Sequence, residues 1–357
     1  MTQKELTHSA IELLKELISI QSFSKEEDRT ADAIQTWLGG YHIPTERDGN
    51  NVFAKNKHWN AKKPTLLLNS HHDTVKPNTA YKKDPFHPHI EYGKLFGLGS
   101  NDAGGPLVSL LATFVHYYEA TGLTHNVLMV ASAEEENAGK NSLRGLLPNL
   151  PPIEVAIVGE PTLMQLAIAE KGLVVFDAVV KGTPSHAAHP NTDNAIYNTI
   201  EVLQWFKDYK FEKSSEALGD VKMTVTQINA GSQHNVVPAQ VDLVVDVRVN
   251  DAYTNKEIAA LLKKEAPCEL KERSLRLNSS KIEKDHPLVQ SGIALGRSTY
   301  GSPTLSDQAA LSCQSLKLGP GDSTRSHSAD EYIYVHEIEE GIDLYIKILQ
   351  GFLFAYT

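Results

Sequence analysis

Leu66-Leu67-Leu68-Asn69-Ser70-His71-His72-Asp73-Thr74-Val75 is the stretch on which the fold turns. Three leucines in a row read as a buried strand, and a polar cluster follows at its C-terminal end. His71 and Asp73 are separated by one residue, so on an extended backbone both side chains leave the same face. A histidine beside a carboxylate suits a metal ligand together with the group that fixes its tautomer. The same residues also suit a strand end that faces water, and this stretch alone leaves both readings open.

Two further stretches repeat the pattern and shift the balance toward a site. Asn126-Val127-Leu128-Met129-Val130-Ala131 ends in Ser132-Ala133-Glu134-Glu135-Glu136, and Val155-Ala156-Ile157-Val158 ends in Gly159-Glu160-Pro161. In open α/β sheets the carboxyl edge of the strands is where sites are built. Adjacent carboxylates repel one another unless cations compensate them or water surrounds them. A metal centre is the economical explanation.

The bulk numbers set the frame. At 357 residues the chain can bury two cores, and 41% hydrophobic with 22% charged residues is ordinary for a globular protein. A net charge of -10 argues against a broad basic surface for nucleic acid. Cys268 and Cys313 are far apart and lack CxxC spacing, so neither a disulfide framework nor a thiolate metal site is expected. No signal peptide or membrane-spanning run is legible, and a cytoplasmic protein without membrane partners is the expectation.

Helices are expected over about residues 5–20 and over Lys25 to Leu38, the latter stopped by Gly39-Gly40. Gly97-Leu98-Gly99-Ser100-Asn101-Asp102 opens another helix bearing Leu107, Leu110, Leu111 and Phe114 on one face. Its spacing is GxGxxD, without a Walker lysine, and Asp102 would repel phosphate; it is better employed as a metal ligand. After Gly172 the period changes. Val241, Leu243, Val245, Val247 and Val249 alternate with Asp242, Asp246 and Arg248, the mark of a sheet with one wet side. A helix from about Asn255 to Lys264 follows. A smaller α+β domain over 174–279 is therefore expected, inserted into an α/β domain of 1–173 and 280–357. The latter resumes with Gly319-Pro320-Gly321-Asp322-Ser323-Thr324-Arg325-Ser326-His327, a turn-rich loop presenting His327, and closes on a helix from about Val335 to Phe354.

The candidate ligands are His71, Asp102, Glu136, Glu160 and His327. Imidazole and carboxylate without thiolate suit catalytic zinc, cobalt or manganese. Five protein ligands exceed what one open catalytic zinc takes and suit two metals sharing a carboxylate. Three carboxylates against two divalent ions leave about +1, which one hydroxide neutralises.

His71-x-Asp73, Asn101-Asp102, Glu135-Glu136, Gly159-Glu160-Pro161-Thr162 and His327 resemble, in order and spacing over nearly the whole chain, the co-catalytic zinc amidohydrolases and peptidases. That family includes acetylornithine deacetylase, succinyl-diaminopimelate desuccinylase, aminoacylase and carboxypeptidase G. The resemblance implies a central mixed, mainly parallel sheet between helices, with an inserted ferredoxin-like lid or dimerisation domain. It implies two zinc ions, bridged by Asp102, whose following peptide is often cis in the family. His71 and Glu160 would complete one site, and Glu136 and His327 the other. Asp73 would orient His71, and Glu135 would be the general base. Glu134-Glu135-Glu136 stands where the family shows Asp-Glu-Glu, so a base at Glu134 stays open. His72 and Lys76 depart from the family pattern and read as outer or solvated residues.

In the smaller domain, Gly182-Thr183-Pro184-Ser185-His186 resembles the segment whose histidine stabilises the oxyanion, commonly across a dimer interface. Asn235 and Arg248 resemble contacts to a substrate carboxylate, although a cross-strand salt bridge of Arg248 with Asp242 or Asp246 suits it nearly as well. The activity implied is removal of an acyl group from the amine of an amino acid by a homodimer, acetylornithine deacetylation in arginine biosynthesis first. Desuccinylation, acetyl-citrulline or acetyl-lysine deacetylation, and dipeptide or carboxypeptide cleavage remain open.

Overall fold

In the computed structural model, which describes residues 2–354, Thr65–His71 is a strand buried at every position. Leu66 and Leu68 enter a core that also holds Leu110, Phe114 and Tyr345, whereas Leu67 packs with Phe53, Leu128 and Leu146 on the other face. Because both faces are covered by apolar side chains, the strand has no reason to alternate.

Asn126–Ser132 pairs in parallel with Thr65–His71 on one side, and Val155–Val158 pairs in parallel on the other. Gln314–Lys317 extends the parallel set beyond Val155–Val158. Asn51–Lys55 and then Glu46–Asp48 close one side in antiparallel fashion, and Leu166–Glu170 joins Gln314–Lys317 antiparallel on the other. The sheet is thus mixed, parallel at its centre, and flanked by helices, the α/β class expected. Its parallel strands all end on one edge.

The Gln3–Ser19 helix begins at a capping box in which Thr2 and Glu5 satisfy each other's amides, and it buries Leu6, Ala10, Leu13, Leu14 and Leu17. The next helix, Asp28–Gly40, differs from expectation at both ends. It starts later, because the Lys25 amide turns back onto the Glu27 carboxylate. It also keeps Gly39 and Gly40 within its last turn. The left-handed residue that ends it is His42 (φ 58°), and the Ile43 amide returns to the Leu38 carbonyl as Ile43 buries, so the closing turn lies beyond the glycines. Gly105–Tyr117 and Val335–Leu353 pack on the same core.

The described residues form two compact units. The first contains the chain as far as Ile168, then Lys281–Tyr300, then the described residues from Ser306 onward. The second contains Ala169–Ser280 and Gly301–Leu305. In the second, an antiparallel sheet has the order Lys222–Ala230, Gln240–Val249, Gly172–Lys181, Glu269–Glu272. Val241, Leu243, Val245, Val247 and Val249 are buried against Phe206, Ile258 and Leu262 from the helices Ala195–Asp208 and Asn255–Glu265. The alternate residues keep the other face wet. No helix among the described residues is long and apolar enough to cross a membrane.

Candidate metal centre

The edge where the parallel strands end collects the polar residues. His71 is the last residue of its strand and is buried. Glu135 and Glu136 follow Asn126–Ser132, Glu160 follows Val155–Val158, and the loop after Gln314–Lys317 carries His327. Asp102 arrives from the glycine-rich turn before Gly105–Tyr117, and the peptide after it is cis, as the resemblance implies.

Asp102 stands between the two histidines. Its Oδ1 is 3.3 Å from His71 Nε2, and its Oδ2 is 3.6 Å from His327 Nε2. Glu160 Oε1 lies 3.8 Å from His71 Nε2. The Glu136 carboxylate oxygens are 3.1 and 3.2 Å from His327 Nε2. His71, Asp102 and Glu136 each offer a ligand atom within 4.8 Å of the others. All five residues singled out as ligands in the sequence are therefore gathered at one place, with a carboxylate in the middle. Nitrogen and carboxylate donors without thiolate could hold zinc, cobalt or manganese.

The electrostatics register how crowded this place is. Burial pushes Glu160 up to about 8, helped by the charges of Asp102 and Glu136. Burial likewise raises Glu135 well above the ordinary carboxylate range, with Glu160, Asp307 and Glu136 adding to it and His71 opposing. The hydrogen bond that His327 donates to Glu136 lifts the imidazole to about 9. Burial opposes a proton on His71, but the bonds to Asp102 and Asp73 outweigh it and raise that imidazole. Protons here compensate carboxylates packed together, and divalent cations would do the same without them.

Behind the ligands lies a layer of buried acceptors. Asp73 was expected to orient His71, and its main-chain carbonyl is the nearer partner, 3.0 Å from His71 Nδ1 against 3.4 Å for its carboxylate. The carboxylate does more elsewhere: it accepts the amides of Glu135 (3.0 Å) and Glu136 (3.1 Å) and the Ser24 hydroxyl (2.6 Å). Glu134 is occupied differently from its two neighbours. It is buried, its backbone is left-handed (φ 53°), and its Oε1 takes the Asn141 side-chain amide at 2.6 Å. The Glu135 carboxylate, in contrast, feels the charges of both His71 and Glu160.

Two features, at Glu331 and Asp307, are not legible in the sequence, and at His72 the structure selects the outer reading over the solvated one. Glu331 accepts the amides of Gly99 (3.2 Å), Asn101 (2.9 Å) and Asp102 (2.9 Å), so the amides of the glycine-rich turn cradle the protein's own carboxylate where a phosphate loop would hold an anion. Burial and the neighbouring Asp102 push Glu331 up to about 8. Asp307 is buried against the Ser132 hydroxyl at 2.6 Å, and burial raises it to about 6. His72 is not solvated: it is buried between Thr30 Oγ1 (2.8 Å) and the Asn50 carbonyl (3.0 Å), and burial lowers it to about 4. Lys76, in contrast, is exposed and lies over the Phe23 ring. A glutamate following an aspartate in a polar loop gives no sign that it will be buried; only the strand Tyr332–Tyr334 directly after Glu331 hints at it.

The other candidates lie in the second unit. His186 pairs with Val236 in a two-residue ribbon, is exposed, and accepts the Ala188 amide at Nδ1. Asn235, also exposed, is brought beside it and receives the Ala187 amide on its carbonyl. Arg248 forms a two-pronged pair with Asp246, at 2.8 and 3.1 Å, two positions back on its own strand rather than across to a neighbouring one.

The model of peptidase family M20/M25/M40 matches residues 67–351. The chain belongs to that family. The M20 relatives include a succinyl-diaminopimelate desuccinylase of Rickettsia bellii (strain OSU 85-389), 23% identical over 94% of this chain and 95% of its own. A LysW-lysine/LysW-ornithine hydrolase of Sulfurisphaera tokodaii is 26% identical over 98% of this chain and 97% of its own. Among solved structures, a dinuclear metal binding peptidase of the M20 family from Bacillus subtilis shares the fold with a TM-score of 0.75, at 14% identity, over 98% of this chain and 99% of that one. As an M20 member the chain is a hydrolase of the metallopeptidase class.

Proposed function

We propose that this M20 hydrolase uses two divalent metal ions, zinc by first choice with cobalt or manganese as substitutes, to remove an acyl group from the amine of an amino acid. The observation that carries the reading is Asp102 poised between His71 and His327, with Glu160 and Glu136 at its flanks. His71 and Glu160 would hold one ion, Glu136 and His327 the other, and Asp102 both. When bound, such a pair polarises the scissile carbonyl and acidifies water.

The chain's own residues do the rest. Glu135, raised by burial, takes the proton of the attacking water and hands it to the departing amine. Asp73 keeps Glu135 and Glu136 in register by accepting both amides. His186 donates to the oxyanion, and Asn235 and Arg248 meet the substrate carboxylate. The inserted domain expected over 174–279 serves as lid and dimerisation module. Exposed Ile196, Tyr197 and Ile200 on the Ala195–Asp208 helix, beside the edge strand Lys222–Ala230, support a homodimer. A monomer by light scattering would remove the trans role of His186.

Acetyl-ornithine is the substrate proposed, in arginine biosynthesis in the cytoplasm. The two relatives carry diaminopimelate, lysine and ornithine in their names, each an amino acid with a second amine. Measuring kcat/KM of zinc- or cobalt-loaded protein on N-acetyl-ornithine, N-acetyl-citrulline and N-succinyl-diaminopimelate tests it. Preference for acetyl-ornithine is expected. Preference for a succinyl or citrulline substrate keeps the chemistry and replaces the substrate, and hydrolysis of none of them sinks the deacylase reading.

A further inference from the structure

Glu27 sits at the N-cap of Asp28–Gly40, yet its side chain makes no capping bond. It is fully buried, in a Lys25-Glu26-Glu27-Asp28 run that otherwise reads as a solvated helix start. Its Oε1 accepts the Lys25 amide at 2.6 Å and the Glu134 amide at 3.2 Å, and its Oε2 accepts the Asn50 side-chain amide at 2.9 Å. A buried carboxylate with such partners is committed to something.

The place it reaches is the turn that carries Glu135. Three consecutive amides end on buried carboxylate oxygens: Glu134 on Glu27, Glu135 on Asp73 Oδ1 and Glu136 on Asp73 Oδ2. Glu134 occupies the left-handed region, which a non-glycine residue adopts only when its surroundings hold it there. Its carbonyl takes the Gly139 amide at 2.9 Å and its carboxylate takes Asn141, so Glu27 supplies the remaining restraint, on the amide side. The same N-terminal segment reaches Asp73 through the Ser24 hydroxyl at 2.6 Å. Residues 24–27 therefore hold both ends of the clamp.

We propose that Glu27 is a positioning residue for Glu135, fixing the left-handed turn at Glu134 that aims the base. This rests on the reading of Glu135 as the base. What matters is then the reach of an oxygen to the Glu134 amide rather than the negative charge. Glu27→Gln keeps a carbonyl oxygen at that distance, and Glu27→Asp keeps the charge but falls one methylene short. On whichever of the three acyl amino acids the wild type cleaves fastest, Glu27→Asp is expected to lower kcat roughly 10- to 100-fold, with KM and metal content unchanged. Glu27→Gln is expected to restore most of that loss.

The reverse order, equal kcat in both variants and wild type, or a loss of kcat matched by loss of metal, overturns the proposal. Glu135→Gln, run alongside, separates the two failures. If it abolishes turnover while Glu27→Asp does not, positioning is wrong and the base stands. If it leaves turnover intact, the base itself is misassigned.

Discussion

The acidic shelf at the ends of the parallel strands and the His186–Asn235 ribbon are both short polar runs, yet they are held in opposite ways. On the shelf, His71 and Asp73 are buried and their neighbours come from far along the chain: Ser24, Asp102, Glu135 and Glu160. On the ribbon, His186 and Asn235 are exposed and bonded to residues close by or directly across a two-residue pairing. Buried polar groups must all find partners, so the shelf is over-determined and pre-organised before any ligand arrives. The ribbon has no such obligation. The chemistry is accordingly expected to be most fragile where the structure is most constrained.

The sharpest way to break this contrast is Glu135→Gln. On the proposed reading it should lower kcat by about 10²- to 10⁴-fold while both metals stay bound, because it would remove a proton carrier and no ligand. Metal content and single-turnover rate, measured together, check this; unchanged turnover would remove Glu135 from the chemistry.

Asp73→Asn comes next. One of the two oxygens that accept the Glu135 and Glu136 amides becomes an NH2 donor facing a donor. A fall of roughly 10- to 100-fold in metal affinity or activity is expected, read by titration with a competing chelator. The same substitution on an exposed aspartate such as Asp242 should change neither.

How much of the shelf could be read in advance follows from the same contrast. Leu66–Asp73, the Glu135-Glu136 pair and Gly159-Glu160 announce themselves because an apolar strand ends abruptly in charge. Glu27, Asp307 and Glu331 do not, since each lies in a polar run whose local pattern is that of a surface. Their burial comes from packing against residues more than a hundred positions away, as Glu331 on Asp102 and Asp307 on Ser132 show. The glycine loop is legible as a loop that opens a helix, but the acceptor its amides serve lies 230 positions on, between Asn101 and Glu331. Gly39-Gly40 misled for the opposite reason: local stop signals yielded to the burial of Ile43 beyond them.

Asp307 offers a smaller test, on stability rather than rate. Its folded value of about 6 lies above the ordinary 3.8, so between those values the native state binds more protons than the unfolded one. Its contribution therefore favours the fold at low pH and is lost as pH rises from about 4 to 6. Asp307→Asn removes that dependence while leaving an oxygen for the Ser132 hydroxyl. Relative to wild type, the variant should gain roughly 1–3 kcal/mol between pH 4 and 7, visible as a shift in urea midpoint. A constant gap across that range would mean that ionised Asp307 is not disfavoured.

The smallest effect is expected on the ribbon's side, at Asp246. Its pair with Arg248 is partly exposed, with side chains 25% and 33% accessible, and such pairs contribute about 0–1 kcal/mol. Asp246→Asn should therefore leave the melting temperature nearly unchanged. It distinguishes the two roles left for Arg248. If the guanidinium serves a substrate carboxylate, Asp246 competes with that carboxylate, and removing it should lower KM with kcat unaltered. If the arginine serves only its own strand, KM will not move. An unchanged KM for a substrate that carries a free carboxylate would retire Arg248 as a contact and leave the wet face of that sheet without an anchor for the substrate.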